Sequence, residues 1–428
     1  MGAARRVPRS RALGLGQSRR PADGSRRGSP ARRVGAPSLL RLTRVAWAGT
    51  SVARVPAWVA ALWAVCVSCS SSSGRCCSRP SSRSCSRASI RTSSGVTPTA
   101  LPARRGARIA DARRRSRDRE RFLNEGFARN PVGLRLYYRI IGDAGPTLLV
   151  PAACWLQEDL EPLALGRRVV FYDRSGRGRS DPIPADVPVT FASEFEDIDA
   201  IRGHLGLERF SLMGWSYMGL VAGLYAADHA DEVERLLLVG ATSMRYFGPA
   251  PVLPAELERE LDVALTRQRE RVDAEAVKRL EAEHGNGEWR DGVAYCREHR
   301  RLSGPRQFGR PEAMLRTKAD PCALPNEWPT ALASLMQRIY ASLGSTWDLS
   351  DRARNVRAPT LVVHGLEDLV LPNAARLWGT LVEDARVLWL TGVGHFPWLE
   401  DPATFFPAAE AFLRGEWPAA AEHVTHAY

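Results

Sequence analysis

Lysine is nearly missing from this chain. Of its 428 residues only Lys278 and Lys318 are lysine, so almost all of the 60 basic residues are arginine. The arginines are also unevenly spread. Residues 1–121 hold 27 of them and no lysine, against 4 acidic residues, a net of +23. The whole chain is +13, so residues 122–428 carry about −10. The basic balance therefore describes the first segment and not the part that folds. Apolar runs of membrane-spanning length are missing as well. The run 56–67 is about twelve residues, short of the roughly 20 that cross a bilayer, so no membrane span is expected. Cysteine is scarce past residue 121: Cys154, Cys296 and Cys322 are widely spaced. That spacing excludes a disulfide framework and a metal cluster, and a reducing, cytoplasmic setting is expected.

Residues 1–121 are built from Arg, Ser, Ala, Gly and Pro, with a low-complexity stretch at 68–94. Such a composition reads as disordered, or as translated upstream sequence. No methionine lies between Met1 and Met213, so a downstream start would use a valine or leucine codon. A basic arm can bind nucleic acid, but one with no lysine and little aromatic interleaving does not fit that use, and no nucleic-acid partner is expected. The alternative to a cytoplasmic location is an export signal around residues 56–69, although its 55-residue approach is too long for a signal-peptide n-region.

From residue 122 onward the pattern is that of an α/β protein. Short continuous apolar runs at 147–150, 169–172, 210–213 and 233–240 suit buried parallel strands. A strand pair is expected over 127–141, and helical spacing at 157–164, 195–205 and 217–227 separates the runs. The rhythm stops between about 244 and 357, where the chain is charged and helical with no strand-like run; helices are expected at 254–283, 288–301 and 329–343. It returns with a strand at 360–364, a helix at 374–382, a strand at 386–390 and a helix at 402–414. The reading is a mostly parallel sheet with helices on both faces, formed by residues 122–243 and 358–428. A helical cap of residues 244–357 is inserted over the strands' C-terminal edge.

Three positions at strand ends carry chemistry. The segment Met213-Gly214-Trp215-Ser216-Tyr217-Met218-Gly219 runs from strand to helix through a turn that lifts one serine clear. His395 follows the 386–390 strand in the loop Gly392-Val393-Gly394-His395, and Asp368 follows the 360–364 strand. A serine hydroxyl needs a base to take its proton during attack, and histidine oriented by an acid supplies one. The chain order Ser, Asp, His is that of α/β-hydrolases. Glu367 is the alternative acid; His364 is expected to be structural and His204 to lie on a helix surface.

Residues from about 125 to 417 resemble an α/β-hydrolase, in particular the capped group with proline iminopeptidase-like enzymes and carboxylesterases. The resemblance rests on Asp173-Arg174-Ser175-Gly176-Arg177-Gly178-Arg179-Ser180, Gly214-Trp215-Ser216-Tyr217, Val362-Val363-His364-Gly365-Leu366-Glu367-Asp368 and Gly394-His395-Phe396. It implies Ser216 as nucleophile, His395 as general base and then acid, and Asp368 as its partner. The substrate is expected to be a small-molecule ester or amide, with no metal or organic cofactor. Family members usually carry His-Gly after the third strand, whereas here the segment is Pro151-Ala152-Ala153-Cys154-Trp155. The oxyanion hole is expected from the backbone N–H groups of Tyr217 and Ala153. Met218 stands where a small residue is usual and is expected to crowd the neighbouring strand. The other readings are a perhydrolase or C–C bond hydrolase on the same triad, or a non-catalytic binding protein on the same fold.

Overall fold

Turn residues and apolar runs alternate from the first described position. The computed structural model describes residues 124–248 and 251–426; the segment 1–121, with its 56–69 and 68–94 stretches, lies outside the described residues. Strands β1 (Glu125–Arg129) and β2 (Arg135–Ile141) form an antiparallel hairpin. The Asn130 side chain accepts the Leu134 N–H in its turn. Next come β3 (Thr147–Pro151), a short helix α1 (Ala153–Leu156), β4 (Arg168–Tyr172), α2 (Ser193–Leu205), β5 (Phe210–Trp215), α3 (Tyr217–Asp228) and β6 (Val233–Val239). The helix expected at 157–164 is instead α1 plus a 3-10 turn over Glu161–Ala164. Pro162 removes a backbone donor there, which limits a longer helix.

The chain leaves the sheet after β6 and returns at β9 (Thr360–Gly365), followed by α9 (Pro372–Leu381), β10 (Ala385–Leu390), α10 (Pro397–Glu400) and α11 (Pro402–Arg414). The eight strands run β1-β2-β4-β3-β5-β6-β9-β10 across the sheet. From β4 to β10 every pairing is parallel, and only β1 and β2 run against their neighbours. Side chains alternate across the sheet. Leu212, Leu236 and Val362 pack on one face with α2, α3 and α9, while Met213, Leu237 and Val363 pack on the other with Phe405 and Phe412 of α11. Both faces are covered, as an all-apolar parallel strand requires.

Between β6 and β9 lie α4 (Ala255–Arg271), α5 (Ala274–Gly285), α6 (Gly292–Ser303), α7 (Pro329–Ala341) and α8 (Ser350–Ala353), with 3-10 turns between α6 and α7. The single helix expected over 254–283 breaks at Val272, and the Asp273 carboxylate caps α5 by accepting the Ala276 N–H. Two findings correct the sequence reading here. The segment does contain strands: β7 (Arg245–Tyr246) pairs antiparallel with β8 (Trp347–Asp348). It also contains a disulfide, Cys296–Cys322, which ties α6 to the turn before α7 and removes the cysteine argument for a reducing compartment. Cys154 is the one free cysteine among the described residues. At the far end, Ala353, Val356 and Ala358 pack into the sheet's own core, so the last turn of the segment belongs with the sheet.

Candidate active site

Because six neighbouring strands are parallel, the loops after β3, β4, β5, β9 and β10 all leave from one edge of the sheet. Ser216, Asp368 and His395, and the expected oxyanion donors Ala153 and Tyr217, all follow strand ends on that edge.

Ser216 follows β5 with φ 58° and ψ −128°. Positive φ is unfavourable for a residue with a side chain, by about 1–3 kcal/mol. Among the described residues only one other non-glycine residue has it, Ala152 at φ 67°. The two strained residues immediately precede Tyr217 and Ala153, the first residues of α3 and α1. The first N–H groups of a helix have no partner within it. Among the described residues neither the Tyr217 nor the Ala153 N–H donates a hydrogen bond. The turn before α3 is tight: a Cβ on Gly219 would come within 2.5 Å of the Ala241 Cβ. That close approach lies one place later than expected, and Met218 is buried in the sheet's helix-covered core instead of crowding a strand.

His395 and Asp368 meet. The imidazole Nδ1 lies 2.8 and 2.9 Å from the two Asp368 carboxylate oxygens, and both residues are buried. Asp368 also accepts the Val370 N–H, which fixes the carboxylate. Gly240, just past β6, lies against the pair: a Cβ there would sit 2.8 Å from Asp368 Oδ2 and 2.9 Å from His395 Nδ1. The Trp215 indole N–H donates to the His395 carbonyl at 2.9 Å, and the two rings lie 5.0 Å apart. The residue before Ser216 thus anchors the histidine loop.

The other residues weighed from the sequence have other partners or surroundings. Glu367 pairs with Arg267 and Arg271 of α4 and does not bond His395. His364 is buried with Nε2 3.1 Å from the Val370 carbonyl, and burial pushes its pKa down. His204 lies exposed on α2. Burial and the nearby carboxylates of Glu327 and Asp173 push the Cys154 thiol well up, so it is not a reactive thiolate.

Two acids were not found from the sequence. Glu327, in the turn before α7, is fully buried. It accepts hydrogen bonds from Arg177 Nε and Nη2 (2.7 and 2.5 Å), the Trp155 indole N–H (2.6 Å) and the Gly178 N–H (2.8 Å). Burial opposes its charge, but Arg177 and these donors outweigh it and hold its carboxyl below the usual range. Glu400 of α10 accepts the N–H groups of Gly394, Gly309 and Arg310, joining the histidine loop to the inserted segment. The Gln307 carbonyl accepts the His395 N–H at 2.7 Å, and Phe308 stacks on Phe396 at 4.7 Å. A lone glutamate after a proline turn carries no sequence signal for such roles.

A parallel sheet with this strand order and these loops defines a class, and residues 147–402, more than half of the chain, match the alpha/beta hydrolase fold. The chain belongs to the α/β-hydrolase family and is an enzyme of that family. Among its relatives is a proline iminopeptidase of Lactobacillus helveticus (strain DPC 4571), 25% identical over 300 residues, covering 66% of this chain and 95% of the relative. A non-heme haloperoxidase of Rhodococcus erythropolis is 26% identical over 277 residues, covering 61% and 90%. Among solved structures, the proline iminopeptidase of Mycobacterium smegmatis superposes with a TM-score of 0.46 at 20% identity, over 68% of this chain and 97% of that one. Among the described residues no helix is long and apolar enough to cross a membrane.

Proposed function

We propose that this enzyme is a serine hydrolase that cleaves a small-molecule ester or amide through Ser216, His395 and Asp368. The observation that carries the reading is the pair of strained residues, Ser216 and Ala152, each followed by an N–H with no partner among the described residues. Strain held at two facing loops is costly unless the geometry has a use.

Asp368 accepts the Nδ1 proton of His395, which leaves Nε2 as the basic nitrogen. As Ser216 Oγ attacks the carbonyl carbon, its proton passes to Nε2. The carbonyl oxygen becomes an oxyanion and takes hydrogen bonds from the Tyr217 and Ala153 N–H groups. Collapse breaks the bond to the leaving group, which receives the proton from His395. Water then repeats the sequence on the acyl-enzyme and restores Ser216. The inserted segment acts as a cap, since Gln307, Phe308 and Glu327 all reach the loops at this edge. A fluorophosphonate probe tests the reading: it is expected to label Ser216 in the folded protein, and a folded sample without labelling would exclude it.

The likeness to the haloperoxidase supports a second reading, in which hydrogen peroxide replaces water and the acyl-enzyme yields a peracid. Peracid formation from an ester plus peroxide, compared with hydrolysis at equal enzyme, separates the two.

A further inference from the structure

Arg300, on α6, lies against the loop after β3: its guanidinium carbon is 4.5 Å from the Trp155 ring centroid. Trp155 stands two residues past Ala153, and its ring lies 6.1 Å from that of Trp215, the residue before Ser216. Two ring contacts therefore connect the guanidinium to the serine turn. Arg300, Trp155, Trp215 and Ser216 are all partly open to solvent.

Arg300 has no ion pair among the described residues, and Asp320 and Glu327 act on its charge only from a distance. Its Nη1 is enclosed and has no hydrogen-bond partner among the described residues. The neighbouring acids are engaged: Glu327 is taken by Arg177, Trp155 and Gly178, and Asp320 pairs with Arg297 at 2.5 Å. Burial dominates over both acids and lowers its pKa. Arg167, Arg174 and Arg177 each have a carboxylate, Glu410, Glu194 and Glu327, whereas Arg306, in the turn after α6, shares with Arg300 the lack of one. An enclosed guanidinium nitrogen with no partner is unfavourable, so an anion arriving with the substrate relieves a cost that the folded protein already bears. The planar guanidinium fork matches a carboxylate in a bidentate pair, and the ring contacts place it beside the two indoles that connect it to the serine turn.

We propose that Arg300 is a specificity-determining residue that binds the carboxylate of an anionic ester or amide substrate. The proposal rests on the assignment of Ser216 as nucleophile, and it names the class of substrate that the cap selects.

Two matched pairs test it. p-Nitrophenyl hydrogen glutarate against p-nitrophenyl pentanoate places the charge on the acyl side. 4-Acetoxybenzoate against 4-methylphenyl acetate places it on the leaving side. The wild type is expected to favour the anionic member of at least one pair in kcat/KM. Arg300→Met is expected to reduce that preference roughly 10- to 100-fold, chiefly through KM, and Arg300→Lys to retain part of it. Should Arg300→Met not fold, Arg300→Gln supplies the same comparison. Absence of any preference in the wild type, or an unchanged preference in the variants, overturns the proposal. Glutarate binding, read as a rise in melting temperature, is expected in wild type and in Ser216→Ala alike and is expected to vanish in Arg300→Met. Binding through Arg300 without turnover of any ester would sink the hydrolase reading alone. Turnover indifferent to substrate charge would sink the Arg300 assignment alone.

Discussion

The loops at the strand ends and the inserted helical segment contribute to the same site by different physics. Ser216, Asp368 and His395 are held by the sheet: each follows a parallel strand, and the parallel register brings the three loops to one edge. Glu327, Gln307 and Arg300 arrive from between β6 and β9, and they act through contacts with residues about 90 to 170 positions away. On the proposed reading, the chemistry belongs to the sheet, whereas the set of the oxyanion loop and the choice of substrate belong to the insertion. Substitutions at strand ends should therefore change rate with little change in stability, while substitutions in the insertion should change stability, selectivity or both.

The largest effect should come from the serine. Ser216→Ala is expected to lower p-nitrophenyl ester turnover by about 10⁶-fold with little change in melting temperature, and His395→Ala to behave alike. Appreciable activity in either variant would break the comparison at its strand-end side. Asp368→Asn should cost about 10⁴-fold in kcat, because an amide in that place no longer holds the histidine tautomer with its basic nitrogen toward the serine. A pH–rate profile of this variant, set beside the wild type, measures the loss.

On the insertion side, Glu327→Gln removes a buried charge and leaves Arg177 unpaired. A loss of about 3–5 kcal/mol in denaturant unfolding is expected, together with a lower kcat because Trp155 and its loop lose their anchor. Loss of stability with an unchanged kcat would show that the oxyanion loop holds its shape alone. Cys296→Ser opens the link across 26 residues and should reduce stability by about 3 kcal/mol, with equal response of wild type and variant to a reductant as the opposing result.

The smallest effect concerns pH. His364 is buried with Nε2 on the Val370 carbonyl and Nδ1 lacking a partner among the described residues. Burial lowers its folded pKa below the unfolded value of 6.5. The unfolded chain then binds more protons as pH falls through that value, so this contribution is full above it and is lost on acidification below it. His364→Gln should flatten the fall in stability between pH 7 and 5.5; an unchanged slope would assign it to other groups.

Much of this molecule is legible from its residues. The apolar runs that became β3 to β6, β9 and β10 are readable because a strand buried on both faces admits little else. The elbow at Gly214–Ser216 and the loops holding Asp368 and His395 are readable because they sit where those runs end. The insertion resisted reading for identifiable reasons. Its charged sequence looks helical straight through residues 254–283, yet Asp273 caps a new helix there. Two residues each suffice for β7 and β8, too few to show a period. Cys296 and Cys322 are 26 apart with nothing between them to announce pairing.

The sequence by itself determined the alternation of strands and helices in the sheet and put Ser216, His395 and the neighbouring acids Glu367 and Asp368 past strand ends, since local periodicity and turn chemistry are short-range properties of the chain. Only the tertiary structure decided that Asp368 rather than Glu367 faces His395, that Glu327 anchors Trp155 and Arg177, and that Arg300 lies on Trp155 without an acid of its own. Those outcomes depend on which side chains meet across long sequence separations and on which charges are paired once water is excluded, and neither is written in local pattern.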